Sequence, residues 1–395
     1  MAMQEEAPRL DAQRQEKARQ YARARRRLWA LDQLIQLSYL ALWVTLGWGV
    51  GLRSALNRTG DAASLSLTIP WWGALLLIAI VMAVPIALLT LPLSYYRSYL
   101  LPHRFGQSTQ SLAGWLSDML KGLLLSILLG VPLLLLLYLL LRALPDTWWL
   151  WAAAGFTLFS TLLAALAPVL ILPLFFKPEP LGEEYESLRE RLLQLARSAG
   201  TQVRGVYKID MSRRTKAANA ALTGMGTTRR ILLGDTLLQE FTPPEIETIL
   251  AHEIAHHVHR DIPLGIITQG GLTFLSFYAL NLILRGSLPV MGFTGLGDPA
   301  TLPLLGLAFS LGGLLLMPLS NAYSRWRESL ADSFALDLTE NPAAFSSAMT
   351  RLANQNLSQA DPPAWEVALF YSHPPLRARV GMAHTWSQTH DRNLF

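Results

Sequence analysis

Residues Leu123–Leu141 read LLLSILLGVPLLLLLYLLL. The run has no Asp, Glu, Lys or Arg and is almost all Leu, Ile and Val. A helix of roughly 20 such residues crosses the hydrocarbon core of a bilayer. Its flanking charges, Lys121 and Arg142, give a rule for the rest of the chain: find the gaps between charged residues. Five more long gaps exist, Asp32 to Arg53, Asp61 to Arg97, Asp146 to Lys177, Asp261 to Arg285 and Asp298 to Arg325. Aromatic residues mark several ends: Trp71 and Trp72, Tyr95 and Tyr96, and Trp148, Trp149 and Trp151. That is the expected interfacial belt. Buried helices in a large soluble core are the competing reading, and six such windows in one chain argue against it. Composition agrees. With 51% hydrophobic and 15% charged residues over 395 positions, the chain is too apolar for an ordinary soluble enzyme and cannot be disordered. It has no cysteine, which excludes a disulfide framework, thiol nucleophiles and thiolate metal sites.

The net charge of +5 raises the question of a nucleic-acid partner. Much of it sits in one block, Arg9, Arg14, Lys17, Arg19, Arg23, Arg25, Arg26 and Arg27, before the first apolar window. A basic block there is a cytoplasmic anchor beside the lipid bilayer, and no nucleic-acid partner is expected. The polar stretch with Glu5, Glu6, Asp11 and Glu16 precedes a late apolar start, unlike a cleaved signal peptide. The excess of Lys and Arg places the N-terminus inside, and six spans return the C-terminus to the same side. The expected organisation follows. Residues 1–28 form a basic cytoplasmic tail. Residues 29–176 form four transmembrane helices with a cytoplasmic loop over 95–121. Residues 177–261 and 325–395 are two polar pieces of one cytoplasmic domain, and 262–324 are a two-helix transmembrane hairpin.

The first polar piece is mixed. A helix over Glu183–Ser198 leads to a strand over Val203–Ile209. A Gly-rich turn at Gly224 and Gly226 precedes a strand over Arg230–Leu233. Thr242-Pro243-Pro244-Glu245 opens a helix with a Thr N-cap and a Pro at the first helical position. That helix carries Ala251-His252-Glu253-Ile254-Ala255-His256. Positions i and i+4 share a helix face, so His252 and His256 can hold one zinc ion with Glu253 beside it as general base. The competing reading is two hydrogen-bonded histidines on a surface helix. A catalytic zinc needs a third protein ligand and an open position. His259 lies on roughly the same face, but seven residues of straight helix rise about 10 Å. His257 points elsewhere, and both are expected to be solvated or interfacial. Glu328, in Glu328-Ser-Leu-Ala-Asp332, is the better candidate. Asp332, one turn on, can hydrogen-bond a ligand histidine and fix its tautomer. A solvated acidic stripe balanced by Arg325 and Arg327 is the bland reading. Topology favours the metal: His256 closely precedes the fifth span and Glu328 closely follows the sixth. The fold class expected is therefore mainly α, a polytopic membrane protein of about six transmembrane helices. Its cytoplasmic α+β domain is zincin-like and built from two chain segments.

Several further stretches belong together. They are Arg97–Lys121 (RSYLLPHRFGQSTQSLAGWLSDMLK), Leu172–Lys177 (LPLFFK), Ser212–Ala220 ending in Ala-Asn-Ala, and the following Thr-Gly turn. Arg230–Leu238 (RILLGDTLL), the Glu328–Asp332 motif and His373-Pro-Pro375 complete the set. With the His-Glu-x-x-His helix, they make most of the chain resemble the integral-membrane zinc metalloproteases of the type I CAAX prenyl endopeptidase family. The resemblance implies His252, His256 and Glu328 on zinc and Glu253 as base. It implies that Asn219 lies near bound peptide and that His373, with Arg377 or Arg379 behind it, helps stabilise the tetrahedral intermediate. It also implies a large intramembrane chamber above the zinc.

The function expected is a membrane-embedded zinc endopeptidase acting on peptide or membrane-protein substrates, extended and possibly prenylated. The peptide is expected as an added β-strand at an exposed edge formed near the strand Arg230–Leu233 and the segment Asn219–Gly224. A stress-type membrane quality-control metalloprotease is the near alternative, and a non-proteolytic membrane scaffold or transporter the distant one. Oligomeric state cannot be read from the sequence.

Overall fold

The structure, a computed structural model, describes residues 9–62, 69–224 and 228–391. The Leu-rich run lies inside a helix, α5 (Leu112–Ala143). Before it come α1 (Ala12–Thr45), α2 (Trp48–Ala62), α3 (Trp71–Tyr95) and the short α4 (Leu101–Arg104). After it come α6 (Trp148–Leu170) and the short α7 (Leu172–Phe175). Lipid explains why these stretches are helices: every backbone polar group must be satisfied within the segment. Five helical stretches are long and apolar enough to cross a bilayer, and the bent pair α1–α2 makes a sixth. The first charge-free window is therefore not one straight helix. It breaks at Gly47, where φ is +63°, and α2 leaves α1 at 54°.

The basic block is helical from Ala12 onward. It packs on the C-terminal part of the chain. Gln15 donates to the Ser358 carbonyl at 3.2 Å and accepts from the Ala360 amide at 3.0 Å, and Arg26 pairs with Glu366 at 2.6 Å.

Contacts between distant segments sort into two ends of the helix bundle. At one end the loop after α4 docks on the first polar segment. The Thr109 amide donates to the Arg214 carbonyl at 3.2 Å, and Arg214 clamps Asp118 of α5 at 2.8 and 3.0 Å. At the other end Arg53 pairs with Asp298, Arg142 donates to the Gly297 carbonyl at 3.3 Å, and Arg285 pairs with Asp146 at 2.9 Å.

The first polar segment holds β1 (Pro178–Pro180), α8 (Glu186–Ser198), β2 (Val206–Ile209), β3 (Ala220–Thr223), β4 (Arg230–Gly234), α9 (Asp235–Glu240) and α10 (Pro243–Val258). The sheet order is β1-β2-β4-β3, with β2 and β4 parallel and β3 antiparallel to β4. Two prolines in β1 remove amide donors and blunt that edge. β3 is the other edge.

α10 is fixed at its start by a capping box between Thr242 and Glu245. Its apolar face, including Ile246, Ile249, Leu250 and Ile254, is buried against the sheet and the C-terminal helices. Each such side chain contributes about 1.5–3 kcal/mol on burial. Arg260 then takes a left-handed φ of +56° and turns the chain into α11 (Asp261–Met291). α12 (Leu302–Thr339) returns the chain, and its last turns lie against α10. α13 (Pro342–Gln355), α14 (Ala364–Phe370) and α15 (Leu376–Asp391) close the domain. Observed strands and helices sit within a few residues of the predicted ones, β2 starting at Val206 rather than Val203.

Candidate metal centre and active site

α10 and α12 carry the site between them. His252 and His256 stand one turn apart on α10, with ring centroids 5.0 Å apart. Glu328 of α12 faces both: its Oε2 is 3.1 Å from His252 Nε2, and its Oε1 is 3.6 Å from His256 Nε2. One ligand atom from each of the three lies within 4.8 Å of the others. Glu328 Oε2 is buried and receives no well-directed hydrogen bond, although His373 Nδ1 is also only 2.7 Å away. Two imidazole nitrogens and an orphaned carboxylate oxygen converging on one point fit the donor set of a His₂Glu zinc site.

The far side of each imidazole is held. His252 Nδ1 lies 2.9 Å from Asp332 Oδ1, the partner expected from sequence. Arg379 Nε donates to Asp332 Oδ2 at 2.8 Å, and a second nitrogen reaches Oδ1. Both ligand histidines thus present Nε2 to the site because Nδ1 is occupied. His256 Nδ1 lies 2.7 Å from Asp261 Oδ2, and Arg327 pairs with the same aspartate. The sequence reading missed Asp261. It lies five residues past His256, outside helical spacing, and the left-handed turn at Arg260 brings it back. The burial of His252 opposes its charged form, yet the Asp332 and Glu328 carboxylates beside it outweigh that and lift it to about 9 in the metal-free protein.

Glu253 lies beside the two ligands, and burial pushes its carboxyl above the ordinary range while His252 and His256 pull it back. A carboxylate with raised proton affinity suits a general base. His373 enters on the turn before α15, its side chain 59% exposed, so it reaches both Glu328 and the open side of the site. Arg379 is mostly buried behind Asp332, so it orients the site from behind. Arg377 is exposed and pairs with Asp361 at 2.8 Å, outside the cluster. Asn219 immediately precedes β3 with its side chain exposed. His257, expected to be solvated or interfacial, is half-buried, and its Nε2 is 3.1 Å from the Leu222 carbonyl of β3. His259 packs edge-on against Phe334 at 5.4 Å and is not in the cluster.

A His-Glu-x-x-His helix facing a later carboxylate, set at one end of bilayer-length helices, places the chain among membrane metallopeptidases. Comparison with known proteins identifies which. Residues 183–387 match the model of peptidase family M48, and residues 4–177 match that of the CAAX prenyl protease N-terminal region, described as five membrane helices. The chain belongs to family M48 and is a zinc metalloprotease of the Ste24 type. It is 33% identical to an uncharacterized metalloprotease, YhfN, of Bacillus subtilis, over 74% of this chain and 69% of that one. It is 33% identical to CAAX prenyl protease 1 of Saccharomyces cerevisiae, over 74% and 68% of the two chains. The crystal structure of S. mikatae Ste24p superposes with a TM-score of 0.82 at 25% identity, covering 96% of this chain and 92% of that one.

Proposed function

We propose that this chain cleaves extended peptides, including C-terminally lipidated CAAX-type chains and segments of membrane proteins, on the cytoplasmic side of the membrane. His252, His256 and Glu328 hold the zinc. When bound there, zinc lowers the pKa of a coordinated water and polarises the scissile carbonyl. Glu253 accepts a proton from the attacking water and passes it to the leaving amine. Asp332 and Asp261 keep each histidine's Nδ1 engaged so that Nε2 faces the site. His373 donates to the oxygen on which charge develops. The outer edge of β3, where the Leu222 carbonyl is already engaged by His257, offers its remaining backbone groups to the substrate, with Asn219 at its start.

The observation that carries this reading is the convergence of His252 Nε2, His256 Nε2 and the unsatisfied Glu328 Oε2 beside Glu253. The test separates metal from base. Purified Glu253→Gln protein retains one zinc by elemental analysis but loses at least about 10²–10⁴-fold in peptide turnover. Glu328→Ala loses zinc as well. Full zinc and full turnover in Glu328→Ala would remove the third ligand from the scheme. The same assay with prenylated and unprenylated peptides decides the substrate class.

A further inference from the structure

A cavity of about 430 Å³ lies between the sheet and the last turns of α6 with α7. β4 shows which face of the sheet this is. Its Ile231 and Leu233 pack into the core shared with α10, whereas Leu232 points the other way, with Ile209 and Met211, toward Leu172 and Phe176. Successive side chains of a strand alternate between the two faces. Ala221 is paired opposite Leu232, so Asn219, Ala221 and Thr223 share the Leu232 face, and all three line the cavity. Among the described residues no charged side chain lines it. Its two polar side chains, Asn219 and Thr223, flank Ala221 along the β3 edge, and the rest of the wall is apolar, Ala164 and Ala167 of α6 and Phe175 of α7 among it.

The hydrogen bonds of β3 fix what can enter. In an antiparallel pair, opposed residues alternate between those that exchange both backbone bonds and those that exchange none. The Gly234 amide donates to the Asn219 carbonyl at 2.9 Å, so Asn219 and, two residues on, Ala221 turn their backbone groups to β4. Ala220 and Leu222 turn theirs outward. The contact between the outward Leu222 carbonyl and His257 agrees with this alternation. A peptide added along that edge bonds to Ala220 and to the Leu222 amide. Its intervening residue stands opposite Ala221 with no backbone bond to it, the Cα atoms about 4.5 Å apart. Opposed side chains share a face, so that residue points its side chain into the cavity, between Asn219 and Thr223. The Ala221 methyl leaves the space open there. We infer that the cavity is a specificity subsite for one large apolar side chain of the peptide substrate, that of the residue opposite Ala221. The volume lies within the range of about 300–1,000 Å³ for ligand pockets. The inference rests on the peptidase reading and deepens it. Because His257 ties β3 to the helix that carries His252 and His256, the preferred residue stands at one fixed position from the bond cut.

The test uses the full-length protein and one extended peptide that carries Phe or Ala at single positions in turn, with the cleavage site mapped. In the wild type, Phe should raise kcat/KM about 10–100-fold over Ala at one position fixed from the cut, the scale of burying one such side chain. Ala221→Val and Ala167→Leu fill the cavity from two different walls. In each, the Phe-to-Ala ratio should fall toward one while zinc stays at one per chain. The ratio is taken within each protein, so a general loss of activity does not move it. Titration calorimetry in the Glu253→Gln background reads the same preference as binding, without turnover. A flat profile in the wild type would overturn the inference, and so would a preference that survives in both filled variants. Turnover that follows the acyl-chain length of the vesicles, with no Phe-to-Ala difference, would assign the cavity to lipid and overturn it as well. The two readings fail differently. Phe-selective binding with no cleavage by the wild type sinks the peptidase reading, and cleavage with a flat profile sinks this one.

Discussion

At the metal centre, the two histidines are supported by unequal means. Asp332 is fully buried and held by both nitrogens of the Arg379 fork, whereas Asp261 sits at the helix turn and is held by Arg327. Removing the hydrogen-bond partner of a ligand histidine typically costs 10–100-fold in metal affinity or activity. Asp332→Ala and Asp261→Ala are each expected to lose about that much zinc affinity in competition with a chelator. Asp332→Ala should also destabilise the fold, because it strands Arg379 in a mostly buried position. Unchanged zinc affinity in Asp261→Ala would mean that His256 needs no outer partner. Helix spacing singled out His252, Glu253, His256 and the Glu328–Asp332 pair, and the order of the spans favoured Glu328 as the third ligand, because i and i+4 positions on a helix are a geometric statement. It could not reach Asp261, whose place depends on one left-handed residue, Arg260, of a type that gives no such signal. His373 stood out only through family resemblance, since a histidine before two prolines reads as a turn.

The zinc helix α10 shows how one residue serves an element and its neighbours together. Glu245 caps the helix by accepting from the Thr242 amide at 2.8 Å. Its other oxygen accepts from Arg351 of α13 at 3.1 Å and from Ser347. The cap is thus also the tie between the metal-binding helix and the C-terminal segment. Thr242→Ala should cost about 1 kcal/mol, the worth of an ordinary N-cap. Glu245→Ala should cost more, about 1.5–3 kcal/mol, because it removes hydrogen bonds to a charged group. Thermal denaturation in detergent ranks the two, and the reverse order would show that Glu245 only caps. The cap was legible in the four residues Thr242–Glu245, whereas the tie to α13 was not, since Arg351 lies 106 residues away. The membrane helices were legible for a simpler reason: charge is costly in lipid, so its absence marks them. The break at Gly47 left no such mark, because apolar residues lie on both sides of it.

At the scale of the whole molecule, the site is assembled by topology. α11 and α12, each long and apolar enough to cross a bilayer, run out and back as a hairpin and so return Glu328 to the histidines of α10. The N-terminal half of α1, the loop before α5 and both catalytic segments meet at that same end of the bundle. Lys and Arg are concentrated there, which predicts that this end faces the cytoplasm. A reporter fused after Phe395, and another inserted between Gly200 and Val203, should both behave as cytoplasmic. An external signal from either would mean that the number of spans is off by one. The same assembly bears on which substrates can be cut. The reacting groups lie between α10 and α12, with β3 as the one unblunted sheet edge beside them, and an edge strand accepts an extended chain rather than a folded surface. Unfolded or lipidated peptides should therefore be cleaved, and stably folded soluble domains should not. A disulfide-locked substrate, compared with its reduced and unfolded form, reads this directly. Asn219→Ala should lower turnover of several unrelated peptides while zinc content stays at one per chain, because Asn219 stands at the start of the edge strand and outside the metal cluster. Equal cleavage of the locked and unfolded substrates would show that the site is open to folded surfaces, and β3 would then have no part in holding the chain.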